Sequence, residues 1–240
     1  MVAKPGSLLD PVADLEQRLA RRGRGSLRTI VHRWWHDHGL AAHPAAVGKR
    51  VAMVLLERRV ADHQRAGMIV LEQLLADHLR ASDLPAFARL LDAGHVTDWE
   101  LVDRFAIEVL GTLLHRVRGR AEAARALATW RIADTAWQRR AACVAFTALA
   151  PQGDAALAEL SQLVFAICGT VLWSPERADQ TAAGWLLCEL SRAEPARVDV
   201  FFRRHARLMS RECARAAVER YAADKQRELL AHHRRATSFR

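Results

Sequence analysis

The chain has 240 residues, of which 51% are hydrophobic and 26% are charged, the balance of a soluble globular protein with a sizeable core. The formal net charge is +9, which favours a partner rich in negative charge, such as a nucleic acid. No apolar run is long enough to span a membrane, and the N-terminus lacks the apolar core of a secretory signal, so we expect a cytoplasmic protein.

Apolar residues recur at a spacing near 3.6 along most of the chain, and no segment alternates as a strand would. The helix start signals are Asp10-Pro11, Thr97 with Glu100, Asp134, Ser174-Pro175 and Ser210. The predicted helices cover residues 44–65, 67–80, 84–92, 98–116, 120–132, 135–150, 154–170, 176–192, 195–209 and 211–230.

Predicted helix starts near residues 97, 134 and 174 recur at a period of about 40, which is typical of HEAT-like helix pairs. An irregular helical bundle is the alternative that periodicity leaves open. We therefore predict an all-α domain over residues 10–230, between an N-terminal tail, 1–9, and a basic C-terminal tail, 231–240.

The four cysteines each lie in an apolar helical segment and form no closely spaced pair, so we predict reduced, buried thiols, with disulfides or zinc as the alternatives. The histidines His32, His36 and His38 have a spacing that could suit a metal, but Trp34-Trp35 interrupts it and no further ligand completes it. A helix packed by those tryptophans is the simpler interpretation. No nucleotide-binding or common hydrolase motif is present, so we predict no cofactor and no metal.

Basic residues cluster at both ends of the chain. Residues 203–240 hold eleven Lys or Arg against four acids, a net charge of 11 − 4 = +7. A second cluster lies between Arg18 and Arg33 and contains no acid. Both clusters are candidates to contact a polyanion.

One carboxylate has an unusual position on the predicted helix 98–116. On a helical wheel, Glu100, Arg104 and Glu108 share the solvated face, whereas Asp103 falls at the edge of the apolar arc, one turn after Trp99. The ordinary interpretation is an acid near a helix N-terminus that pairs with an arginine. The functional interpretation is a carboxylate held beside an indole in a cleft, where it could stabilise a developing cation.

Five short motifs in order make the chain resemble the AlkD-type DNA alkylation repair glycosylases over roughly residues 50–220. The resemblance implies a right-handed superhelix, or solenoid, of HEAT-like antiparallel helix pairs with a basic concave DNA-binding face. The motifs are Trp99-x3-Asp103, Trp137-Gln-Arg139-Arg140-Ala, Gly184-Trp185-Leu-Leu, Pro195-x-x-Val198 and Ser210-Arg211-Glu212.

The resemblance also implies roles for individual residues. Asp103 matches the catalytic aspartate, and Trp99 and Trp185 match the tryptophans that line the sugar and backbone of the lesion. Arg140 matches an arginine that contacts DNA near the lesion, and Arg139 could share or replace that role. We leave three further tryptophans as core residues: Trp130, Trp137 and Trp173.

The sequence departs from the family pattern at three positions near Trp185. Thr181, Cys188 and Leu190 stand where a Lys, an Arg and a Tyr are usual. Some DNA contacts must therefore come from elsewhere. A divergent member that removes a bulky adduct of a genotoxic natural product, as self-resistance, is one expectation that follows. The candidates to replace the missing contacts are the N-terminal basic cluster between Arg18 and Arg33 and the basic helix 203–215, with Arg203, Arg204, Arg207 and Arg211.

The function implied is that of a monomeric, metal-free and monofunctional DNA glycosylase without lyase activity. It would act in the nucleoid on cationic N3- or N7-alkylated purines in double-stranded DNA, without needing to flip the base. The alternatives are a non-catalytic HEAT-repeat protein that binds damaged or branched DNA and a solenoid that binds other proteins.

Overall fold

A computed structural model describes residues 9–115 and 119–238, and every regular element in those ranges is helical. The all-α prediction is therefore confirmed. Contacts within the chain define two compact units, where the sequence led us to expect a single domain. The first unit combines the residues up to Leu79 with Ala93–Val96, and the second combines Arg80–Asp92 with the residues from Thr97 onward.

The first unit contains four α-helices in its described part. They are α1 (Leu9–Ala20), α2 (Leu27–Asp37), α3 (Ala45–Glu57) and α4 (Ala61–Ile69), followed by a π-helical turn, Val70–Leu74. The expected tail 1–9 lies outside the described residues except for Leu9, which opens α1.

The core of this unit is built around α2. Trp34 is fully buried and donates its indole N–H to the Pro11 carbonyl oxygen at 2.8 Å. This confirms that the tryptophans pack the helix. The neighbouring histidines have separate surroundings, since His32 bonds the Gln73 side chain and His36 is 92% exposed. No group of three or more His, Cys, Asp or Glu in the described ranges is placed to hold a metal ion.

The predicted single helix 44–65 is wrong, because the chain breaks between Glu57 and Ala61. The apolar residues keep a helical spacing through this break, so the spacing alone does not predict it. The buried Gln64 side chain stabilises the turn by donating to the carbonyl oxygens of Leu56, at 3.1 Å, and His95, at 2.6 Å. These bonds satisfy a backbone acceptor at the end of α3.

The second unit holds the remaining helices of the described residues. They are α5 (Leu84–Asp92), α6 (Trp99–Arg104), α7 (Gly111–His115), α8 (Arg120–Ala128), α9 (Ala136–Ala145), α10 (Leu160–Val171), α11 (Arg177–Leu190), α12 (Pro195–His205), α13 (Arg211–Val218) and α14 (Ala223–Thr237). Helix α9 packs against α6 and α11, and α11 packs in turn against α13.

Gln180 on α11 repeats the role of Gln64. Its amide donates to the carbonyl oxygens of Leu172 and Leu208, both at 3.1 Å, and its own oxygen accepts from the Ser210 backbone N–H at 2.8 Å. Each glutamine reaches a carbonyl eight residues earlier. The two positions are 180 − 64 = 116 residues apart, close to three times the period of about 40 that the sequence suggested.

Several predicted helix ends shift by a residue or more. Ser210 is the N-cap of α13, as predicted. Asp98 rather than Thr97 caps α6, and Thr135 rather than Asp134 caps α9. In both cases the neighbouring residue has the extended backbone and the side-chain oxygen that a cap requires.

The C-terminal helix corrects two expectations. The predicted helix 211–230 is interrupted after Val218, and α14 then runs from Ala223 to Thr237. Residues 231–237, expected as a tail, are therefore helical. The reason is tertiary packing, because Leu229 and His233 are buried and the His233 ring bonds the Met209 carbonyl oxygen at 3.0 Å.

All four cysteines are free and buried, which confirms the expectation of reduced thiols in the core. Burial raises the pKa of each thiol, that of Cys213 to about 12. Trp130 is buried as expected, but Trp173 is 74% exposed, so its assignment to the core was wrong. In the described part of the chain, no helix combines the length and hydrophobicity needed to cross a bilayer.

Candidate functional site

The geometry around Asp103 begins with the helix that carries it. The α6 helix passes directly into a π-helical turn, Phe105–Leu110, and then into α7. Arg104 bonds Glu100 and Glu108, so the predicted solvated face is confirmed. The wider turn changes the phase of the helix after Asp103, and π turns of this kind are frequent at functional sites.

The Asp103 carboxylate is held by Arg140, which lies on α9. The Arg140 Nε donates to Oδ1 and its Nη2 donates to Oδ2, both at 2.7 Å. The Arg140 side chain is only 6% exposed and that of Asp103 is 24% exposed. This two-pronged pair fixes the orientation of the carboxylate and leaves one edge of it open to solvent.

The same arginine is anchored to α11. Its Nη1 donates to the Thr181 hydroxyl at 2.9 Å and to the Ala178 carbonyl oxygen at 3.1 Å. Arg140 therefore connects α6, α9 and α11 through one side chain. Thr181 is one of the positions where the sequence departs from the family pattern, and here its hydroxyl contributes to the support of Arg140.

Trp99 completes this cluster. Its indole lies beneath the Arg140 guanidinium, 4.1 Å from the ring centroid, and 36% of the residue is exposed. Trp137, which the sequence assigned to the core, is half-buried and meets Trp99 edge to face, with centroids 5.7 Å apart. The structure thus brings together Asp103, Trp99 and Arg140, and adds Trp137 to them.

A second ion pair lies over the same indole. The Arg177 guanidinium is 5.3 Å from the Trp99 centroid, and its Nε and Nη2 donate to the two Glu212 carboxylate oxygens at 2.8 and 2.7 Å. These hydrogen bonds lower the pKa of Glu212 and raise that of Arg177. Arg177 was not among the residues predicted for the site, because nothing in a single sequence indicates that it would lie over Trp99.

Arg139, next to Arg140, points to a different partner. Its Nε and Nη2 donate to Asp179 Oδ2 at 2.9 and 2.6 Å, and its Nη1 donates to the carbonyl oxygens of Ala133 and Asp134. Asp179 is fully buried. Arg139 therefore links α9 to α11 through Asp179, and its side chain does not bond Asp103.

Trp185 lies one turn beyond Thr181 on α11 and lines a cleft of about 750 Å³. That cleft does not include Asp103 or Trp99. Gly184, just before it, lies against α13, where a Cβ atom would be 2.7 Å from the Cys213 carbonyl oxygen. The other residues that line the cleft are Cys188, Glu189, Arg192, Ala216, Glu219 and Arg220.

The four arginines that were candidates for DNA contacts differ in their surroundings. Arg203 is paired with Asp199 and Glu228. Arg204, Arg207 and Arg211 are exposed, and in the described residues no ion pair with an acid engages them. Arg204 also borders an apolar groove that contains the stacked Phe165 and Phe201 rings. None of the four contacts the cluster around Asp103.

A comparison with known protein families matches this chain over residues 24–221 to the family described as DNA alkylation repair enzyme. The match spans all the residues of the site. No curated protein matches the chain. The chain belongs to the DNA alkylation repair enzyme family, which confirms the resemblance found in the sequence and associates the protein with alkylation repair of DNA.

Proposed function

We propose that the protein is a monofunctional DNA glycosylase that hydrolyses the N-glycosidic bond of cationic N3- or N7-alkylated purines in duplex DNA. The observation that carries this proposal is the Asp103 carboxylate, oriented by Arg140 beside the partly exposed indole of Trp99. Membership of the repair family supports it. Trp185, one turn along α11 from the Arg140 anchor, is proposed to contact the backbone near the lesion.

The chemistry requires few groups. An alkylated purine is already cationic, so when the C1′–N bond breaks, both bonding electrons go to the base and neutralise it without a general acid. The deoxyribose becomes an oxocarbenium ion, which the Asp103 carboxylate and the Trp99 face stabilise. Water then adds to C1′ and loses a proton, for which a free lone pair of the Asp103 carboxylate is the acceptor.

Other features of the proposal follow from the residues present. In the part of the chain that the structure describes, Asp103 and Trp99 contact the side chains of Arg140, Arg177 and Trp137, and we propose an enzyme without lyase activity. The recurring role of Gln64 and Gln180 supports a HEAT-like repeat, which would present exposed arginines to DNA. We propose that the protein acts as a monomer in the nucleoid, without flipping the base, and that bulky natural-product adducts are among its substrates.

The test is release of base from a duplex carrying one 7-methylguanine. Wild type is compared with Asp103→Asn and with Glu100→Gln, which removes an exposed carboxylate from the same helix. We expect Asp103→Asn to lower the rate about 100-fold or more and Glu100→Gln to leave it within about twofold. Equal rates for Asp103→Asn and wild type would refute the role of Asp103. A bulkier N7 adduct distinguishes a substrate preference from a lack of activity.

One observation favours a second function, that of a non-catalytic protein that binds damaged DNA. Both Asp103 oxygens accept hydrogen bonds from Arg140, as they would in a purely structural ion pair. In that case no lesion is released by wild type, salt-sensitive duplex binding persists, and Asp103→Asn changes only the stability of the protein.

A further inference from the structure

The Arg177–Glu212 pair differs from the ion pairs around it in its exposure. The Arg177 side chain is 70% exposed and that of Glu212 is 50% exposed. By contrast, the side chains of Arg140 and Arg139 are 6% and 15% exposed, and each is occupied by a carboxylate and by carbonyl oxygens. Of the three arginines, Arg177 is the one that a second molecule can reach without disrupting the core.

The geometry of the pair matches the way arginine holds a phosphate. A guanidinium donates two parallel N–H bonds to two oxygens of a carboxylate or a phosphate with the same fork. Glu212 occupies this fork at 2.8 and 2.7 Å, and the guanidinium itself lies over the Trp99 ring. An exposed ion pair of this kind contributes little to stability, so its partner exchanges readily.

We propose that Arg177 is a DNA phosphate ligand of this site and that Glu212 occupies its guanidinium fork in the free protein as a stand-in for the phosphate. Binding of the duplex transfers Arg177 from the Glu212 carboxylate to a phosphate beside Trp99. Glu212 therefore competes with the DNA phosphate for the Arg177 guanidinium, and the duplex must displace this carboxylate before it binds stably. This inference rests on the DNA-binding part of the proposed function and not on glycosylase activity.

The supporting role of Trp99 follows from the same contact. The indole face lies 5.3 Å from the Arg177 guanidinium, which helps to keep that flat cation near the site when its carboxylate partner leaves. Arg177 is thus a positioning residue, because it would fix the DNA backbone relative to Asp103 without touching the glycosidic bond.

The experiment measures binding of a fluorescein-labelled duplex without lesions, by anisotropy, at several potassium chloride concentrations. The variants are Arg177→Gln, Glu212→Gln and the double variant. Asp224→Asn serves as the matched control, because Asp224 is also an exposed acid paired with an arginine, but on α14. Circular dichroism and thermal unfolding check that each variant is folded.

We expect Arg177→Gln to weaken binding about tenfold at low salt and to reduce the log–log salt slope by about 0.9, the share of one phosphate. Glu212→Gln should tighten binding about two- to fivefold. In the Arg177→Gln background, the Glu212→Gln substitution should have little effect, because the competition has been removed. Asp224→Asn should change the duplex affinity by the same factor in the wild-type and the Arg177→Gln backgrounds.

Three results would overturn the inference. One is an unchanged salt slope for Arg177→Gln. Another is a Glu212→Gln effect that is the same with and without Arg177, since that indicates general electrostatic attraction. The third is a wild-type protein that does not bind duplex at all, which would overturn the proposed function as well. If the coupling between Arg177 and Glu212 is found but no base is released, the inference stands and the glycosylase proposal fails.

Discussion

Gly184 and Cys213 lie so close together that α11 and α13 touch through their backbones. A Cβ atom on Gly184 would lie 2.7 Å from the Cys213 carbonyl oxygen and 3.0 Å from its α-carbon. These are backbone atoms, which cannot move aside by a change of rotamer as the end of a flexible side chain can. The glycine of the Gly184-Trp185 motif therefore has a packing role, which holds Trp185 at the edge of its cleft.

We predict that Gly184→Ala lowers the free energy of unfolding by about 2 kcal/mol or more, because the two helices must separate. Gly111→Ala is the matched control, since its nearest neighbour would be at 3.5 Å, an ordinary contact. That substitution should leave stability unchanged or raise it by about 0.5 kcal/mol. Urea denaturation measures both, and equal effects at the two positions would contradict the packing argument.

Removing Arg140 should cost far more than removing Arg104, a nearby arginine that is partly open to solvent. Arg140→Ala leaves the Asp103 carboxylate and the Thr181 hydroxyl without their donor, so we expect a loss of about 3 kcal/mol in the free energy of unfolding. Arg104→Ala breaks the solvent-accessible pairs with Glu100 and Glu108 and should cost less than about 1 kcal/mol. Chemical denaturation of both variants gives the comparison, and similar losses would refute a structural role for Arg140.

The buried Asp179 offers a test of charge burial. Asp179 Oδ2 accepts two hydrogen bonds from Arg139, whereas the buried Oδ1 has no hydrogen-bond partner among the described residues. Asp179→Ala should destabilise the protein by about 3 kcal/mol, since it leaves Arg139 without its carboxylate. Changing both residues to apolar ones, Arg139→Met with Asp179→Leu, should recover much of that loss. A double variant that is less stable than Asp179→Ala would contradict this expectation.

Asp154 predicts a pH dependence of stability. Its carboxylate accepts from the Ser161 backbone N–H at 2.8 Å, in the first turn of α10, and this bond lowers the pKa of Asp154. Because the pKa of this carboxyl is lower in the folded than in the unfolded chain, its charge stabilises the fold at pH values above the unfolded pKa. That stabilisation is lost as the pH falls through the pKa of the folded state. Because the Asp154 side chain is 47% exposed, solvent screens its charge, and Asp154→Ala should cost only about 0.5 kcal/mol at pH 7.

The difference between wild type and Asp154→Ala should shrink as the pH falls below the ordinary Asp value of 3.8. Urea unfolding curves at several pH values measure it. A difference that stays constant between neutral and acidic pH would show that the Asp154 charge has no part in the stability of α10.

The helical class and the N-cap at Ser210 could be predicted from the sequence because they depend on neighbouring residues. The break after Glu57 could not, since it depends on Gln64 reaching backbone carbonyls across the turn. The π turn after Asp103 was missed because a helical wheel assumes a constant 3.6 residues per turn. Trp173, which we left as a core residue, is exposed.

At the candidate site, too, the sequence predicted relationships within one helix but not those between helices. Asp103 and Trp99 were found because they share one helix, and an arginine partner for Asp103 was the ordinary expectation. That the partner is Arg140, 37 residues away, depends on how α6 and α9 pack. Arg139 and Arg140 are adjacent in sequence, yet one binds Asp179 and the other binds Asp103. Only the packing of the helices separates the two arginines.

The attachment of Arg140 to three helices has a consequence for how the Asp103 carboxylate behaves. Because the guanidinium is fixed by Thr181 and the Ala178 carbonyl oxygen as well, the carboxylate cannot rotate without disturbing α9 and α11. Its rotational entropy is therefore lost when the chain folds and not when a ligand arrives. A positive charge that developed beside Asp103, as the proposed reaction requires, would therefore meet a carboxylate whose orientation is already fixed, and little reorganisation would be needed.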